Sequence, residues 1–117
     1  MPVVTVVQPS SYAISTITGK FKTSDIDQAL LDFTRDGTAP TWVFDLTLVD
    51  LSGRADPAQI EMSIVAALQV AAKRGLQTVV AVTENPLVRL AAQVAAMKAH
   101  VTFRHAKTLA EAQGLVR

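Results

Sequence analysis

Residues 41–57, TWVFDLTLVDLSGRADP, leave few architectures open. Trp42, Val43, Phe44 and Leu46 are β-formers interrupted only by Asp45 and Thr47, so the first half reads as a buried strand. The last two residues, Asp56-Pro57, open a helix: Asp caps well, and Pro is pre-organised for the first helical position. Between them lies a polar connection carrying Asp50, Ser52, Gly53, Arg54 and Asp56. A buried strand running into a helix points to an open α/β sheet. Ligands and regulatory groups then sit beyond the carboxyl ends of the parallel strands. A functional site is expected at this connection.

The flanking sequence repeats the logic. Residues 3–7 are a compact apolar strand, ended by Gln8-Pro9-Ser10-Ser11, and residues 12–21 alternate as a second strand, which predicts an antiparallel hairpin. Ser24 and Asp27 approximate a capping box before Ile26, Leu30, Leu31 and Phe33, and that helix is expected to stop at Asp36-Gly37. Asp56 and Gln59 form a second capping box, opening a long helix that runs to Lys73-Arg74-Gly75. Its sheet-facing stripe is Ile60, Ile64, Leu68 and Ala71, supported by Val65 and Ala72.

Residues 78–82 form a continuous apolar run, the mark of a parallel strand covered on both faces. Asn85-Pro86 opens a third helix through Lys98, with an expected core stripe of Leu87, Leu90, Ala91, Val94 and Met97. A short strand over 101–103 precedes the Thr108–Glu111 capping box of a terminal helix. One α/β domain over 1–117 is predicted: a hairpin, then mostly parallel strands alternating with four helices.

Composition narrows the function classes. Eleven basic and ten acidic residues give a net charge of +1 with no Lys/Arg block, against nucleic-acid binding. Without cysteine there is no disulfide framework, thiolate chemistry or Cys-based zinc site. The longest apolar stretch, about Ile64 to Ala72, is too short to span a bilayer, and no signal-peptide pattern opens the chain. A cytoplasmic protein without membrane association is expected. There is no Gly-x-Ser-x-Gly elbow, Gly-x-Gly-x-x-Gly turn or phosphate-cradling Gly-Lys-Ser/Thr loop, so neither enzymatic activity nor a cofactor is expected. His100 and His105 lack a metal-binding pattern and read as surface or strand-end residues.

The element order resembles the STAS domain, the fold of bacterial anti-sigma-factor antagonists and of sulfate-transporter cytoplasmic tails, over nearly the whole chain. Residues 42–49 are similar to that family's apolar strand with its Asp and Val. Val79-Val80-Ala81-Val82, Asn85-Pro86-Leu87-Val88-Arg89 and Thr108-Leu109-Ala110-Glu111-Ala112 resemble its later strand, third helix and ending. Antagonists carry Asp-Ser-Ser-Gly or Asp-Ser-Thr-Gly after the central strand, and its Ser or Thr is phosphorylated. This chain has Asp50-Leu51-Ser52-Gly53. Counted from Asp45, the acceptor would fall near Arg54 or Ala55, and a register shift makes Ser52 the equivalent. The resemblance implies a regulatory module that works through a protein partner.

Three sets of residues are candidates, each with a plainer reading beside it. Ser52 is either a phosphoacceptor near a helix N-terminus with Arg54 two residues on, or a turn serine bonded to local backbone. Asp45, Asp50, Thr83, Glu84 and Asn85 project from the ends of adjacent strands; they could bind a small ligand or anion or a hard cation, or only cap and turn. Met62, Ala66 and Val70 align on a flank of the long helix apart from its core stripe. They form a contact surface for a protein partner or a second copy of the chain, or are covered by another helix.

Overall fold

The computed structural model describes residues 3–8, 11–35, 39–50 and 57–115. The elements follow the expected order: β1 (Val3–Gln8), β2 (Tyr12–Lys20), α1 (Thr23–Arg35), β3 (Thr41–Asp50), α2 (Pro57–Lys73), β4 (Thr78–Val82), α3 (Pro86–Lys98), β5 (Thr102–Ala106) and α4 (Leu109–Leu115). They build a five-stranded sheet in the order β1-β2-β3-β4-β5, antiparallel at β1/β2 and parallel from β2 onward. The 42–47 run is therefore in the central strand, and residues 41–45 pair with 78–82. Right-handed crossovers between consecutive parallel neighbours put their helices on one face. Accordingly α1 packs on α2 and α2 on α3, while α4 packs against β4 and β5.

The main core lies between the sheet and the three helices. Trp42 is at its centre, its ring 4.4 Å from both Phe33 and Phe44. Its indole N–H donates to the buried Ser15 hydroxyl at 2.9 Å, which in turn bonds the Thr5 hydroxyl. The indole is thus buried without an unsatisfied donor, as a core Trp requires. A smaller cluster of Val43, Val80, Val82, Ala106 and Ala112 also carries Leu109, from α4.

Several local expectations need correction. The first helix opens at Thr23, so the third helical position is Asp25, whose carboxylate accepts the Lys22 N–H at 3.0 Å. Asp25, not Asp27, makes the return half of a capping box, while the N-cap Lys22 has no side-chain acceptor for the other half, and Leu31 is exposed rather than core. β5 reaches Ala106 instead of stopping at 103, because Arg104, His105 and Ala106 keep pairing with β4. β3 continues to Asp50: after a register shift between Thr16 and Thr18, its end still pairs with β2, beyond the last β4 partner at Asp45. The Pro9-Ser10 turn, the Asp36-Gly37 helix end and the Asp56 cap lie outside the described residues.

The largest correction concerns α3. Its buried residues are Ala92, Ala95 and Ala96, whereas Leu87, Leu90 and Met97 of the expected core stripe are 69%, 56% and 65% exposed. The helix has two apolar faces, and periodicity alone does not choose between them. Small side chains win the inner face, since alanine lets the helix settle close to α2 and the sheet.

Candidate functional site

The overhang of β3 beyond β4 shapes a cleft at the carboxyl ends of the parallel strands. The cleft, of about 450 Å³, is lined by Thr47, Asp50, Thr83, Glu84, Asn85 and Lys107 over a floor that includes Leu46, Val49 and Val88. The structure thus brings together Asp50, Thr83, Glu84 and Asn85 from the expected cluster. Asp45 does not line this cleft. It is buried, and its Oδ1 accepts the Thr47 N–H at 3.2 Å and the Thr47 hydroxyl at 2.7 Å. A carboxylate in an apolar strand is satisfied there by its neighbour two residues on.

The β4–α3 connection is built by its own hydrogen bonds. The buried Thr83 hydroxyl accepts the Asn85 N–H at 3.0 Å. Asn85 Oδ1 accepts the Leu87 and Val88 N–H groups at 2.9 and 3.3 Å, capping α3 as Asn-Pro predicts. His105 donates Nε2–H to the Thr83 carbonyl at 2.7 Å; a carbonyl only accepts, which fixes the tautomer. Thr83 and Asn85 therefore hold the cleft wall, while the exposed Glu84, Asp50 and Lys107 give it charge.

Lys107 escaped sequence reasoning, and His105, read as a surface or strand-end residue, is a half-buried strand residue bonded to the Thr83 carbonyl. The signal was present, since Lys107 directly precedes the Thr108 cap, where Thr108 Oγ1 accepts the Glu111 N–H at 3.2 Å. Ending β5 at 103 left Lys107 away from the strand end, which is at Ala106. Among the described residues, no group of three or more His, Asp or Glu gathers to hold a metal ion. Ser52 and Arg54 lie outside the described residues.

On the helical face, Met62 is 68% and Val70 41% exposed, with Ala66 exposed between them, and no described helix covers them. The neighbouring α3 adds its Leu87, Leu90 and Met97 stripe. An ion pair between Glu61 and Lys98, at 3.0 Å, ties the two helices together. Both helices thus carry exposed apolar residues in line along their axes.

No family model matches the sequence, and no curated protein matches it. Solved structures do. An anti-sigma factor antagonist from Mycobacterium paratuberculosis superposes with a TM-score of 0.61 at 20% identity, over 98% of this chain and 94% of its own. A DUF3478-family protein from Shewanella loihica PV-4 with a SpoIIAA-like fold gives a TM-score of 0.59 at 18% identity, over 98% and 92%. The chain has the SpoIIAA-like fold. In this SpoIIAA-like domain the cleft lies at the carboxyl ends of β3 and β4. No helix among the described residues is long and apolar enough to cross a membrane.

Proposed function

We propose that this SpoIIAA-like domain is a non-enzymatic, cytoplasmic regulatory module that acts by binding a protein. The observation that supports it is the exposure of Met62 and Val70 on α2, and of Leu87, Leu90 and Met97 on α3, in a fold shared with an anti-sigma factor antagonist. The contact combines this surface with the 50–56 connection, and Ser52 is the residue at which phosphorylation would control it. A phosphate there gains from the helix N-terminus and Arg54, and is opposed by Asp50 and Asp56.

The test is Met62→Lys with Val70→Glu. Association with a partner or a second copy should disappear while the thermal midpoint stays in place. An unfolded double variant would return these residues to the core. Intact-mass and peptide mapping of native protein should find any phosphate on Ser52; a site at Thr47 or Thr83 would show that the motif register is wrong.

A second reading, a small-ligand or anion site, is favoured by the convergence of Asp50, Thr83, Glu84 and Lys107 on one cleft. Asp50→Asn with Glu84→Gln should then change ligand affinity without touching the helical contact.

A further inference from the structure

Behind the strand-end cleft, the main core is not closed. A cavity of about 280 Å³ opens between the sheet, α2 and α3. Native interiors hold few voids larger than a water molecule, so this space needs a cause. The cause is local: Ala81 on β4 and Ala91 and Ala92 on α3 face it, opposite Ile60, Ile64 and Leu68 of α2. Three alanines leave the volume that larger side chains would fill. The same small face that lets α3 settle close to α2 hollows the core near the start of both helices.

Asn85 is the only polar residue among the described residues of its lining. Asn85 also lines the polar cleft, as do Leu46, Val49 and Val88, so the two spaces share a wall. The Asn85 Oδ1 is committed to the Leu87 and Val88 N–H groups, which turns its amide N–H₂ donor side to other partners. Apolar walls with one placed polar group are the composition of small-molecule sites.

We propose that this cavity binds a small amphiphile: an apolar body in the core and an uncharged oxygen, a hydroxyl or carbonyl, at Asn85. Size sets the body. A cavity of about 150 Å³ lined by apolar side chains accepts benzene, so this one takes roughly ten to twelve carbons. Charge sets the head. No described residue of the cavity lining carries a charge, so a carboxylate or phosphate drawn into it would be desolvated without an ionic partner. Neither the protein contact nor an anion in the outer cleft requires this ligand.

The experiment is titration of the intact protein with 1-decanol and, separately, decanoate at pH 8, followed by calorimetry and by methyl NMR. One equivalent of decanol should bind, at least tenfold more tightly than decanoate, and shift methyl signals of Leu46, Ile64 and Val88. Ala81→Leu and, independently, Ala91→Phe fill the space. Each should weaken decanol at least tenfold while the protein stays folded. No decanol binding, shifts confined to other methyls, equal or tighter decanoate binding, or full affinity in both filled variants would each overturn the proposal. If both filled variants unfold, the methyl shifts of the wild-type protein decide it.

Discussion

Helices α2 and α3 are neighbours on one face of the sheet, and both are apolar on more than one side, yet they are oriented by opposite choices. In α2 the large residues Ile64 and Leu68 go inward and the outer flank is mixed. In α3 the alanines go inward and the leucines face solvent. Hydrophobic burial per side chain favours the large residue inside. The α3 arrangement shows that available space can outweigh that preference. What α3 gives up in burial it keeps as an apolar surface.

The ends of the two helices differ in the same spirit. Both close with the paired bonds of a Schellman motif: Leu76 N–H to the Ala71 carbonyl and Gly75 to Ala72 in α2, Val101 to Ala96 and His100 to Met97 in α3. The left-handed position is Gly75 in α2, at φ +106°, but His100 in α3, at φ +59°. Glycine takes that conformation without a Cβ clash, and histidine does not.

The comparison breaks most visibly at Leu68, which is fully buried. Leu68→Ala should cost about 2–5 kcal/mol, read from denaturant midpoints at constant m-value. Leu90→Ala should stay within about 0.5 kcal/mol of the parent. Next comes overpacking: Ala95 is also fully buried, and Ala95→Leu should cost about 1–3 kcal/mol because α3 has no room on its inner side there. Loss of the Asn85 cap by Asn85→Ala should cost about 1 kcal/mol, seen as a lower thermal midpoint. His100→Gly should do the reverse, raising stability by up to about 1 kcal/mol as left-handed strain is relieved. The smallest effect belongs to Glu61→Ala. Its ion pair with Lys98 is partly exposed and should contribute less than about 1 kcal/mol, falling further in high salt.

Much of the fold was legible because local signals agreed with one another. The apolar runs at 42–46 and 78–82, the Asn85-Pro86 opening and the Thr108 cap all named their elements before any tertiary contact was considered. Face selection in α3 was not legible, since periodicity reports that a stripe exists and not what volume lies opposite it. The extension of β3 to Asp50 depended on a register shift against β2, which has no sequence signature here. The site followed the same division. Asp50, Thr83, Glu84 and Asn85, singled out by their position after strands, do line one cleft. Asp45 does not line the cleft, and a carboxylate near a strand end gives no sign in sequence that Thr47 will bond to it. Lys107 was missed through a strand drawn three residues too short.

The central claim is that the large residues of α3 belong to the surface and not to the fold. It is tested most directly by the thermal midpoint of Leu90→Lys with Met97→Glu, measured beside the parent protein. Two exposed substitutions should leave the midpoint within about 3 °C, since 1 kcal/mol corresponds to several degrees in a domain of this size. A loss of more than about 10 °C, or failure to fold, would put the leucine stripe in the core and contradict the account.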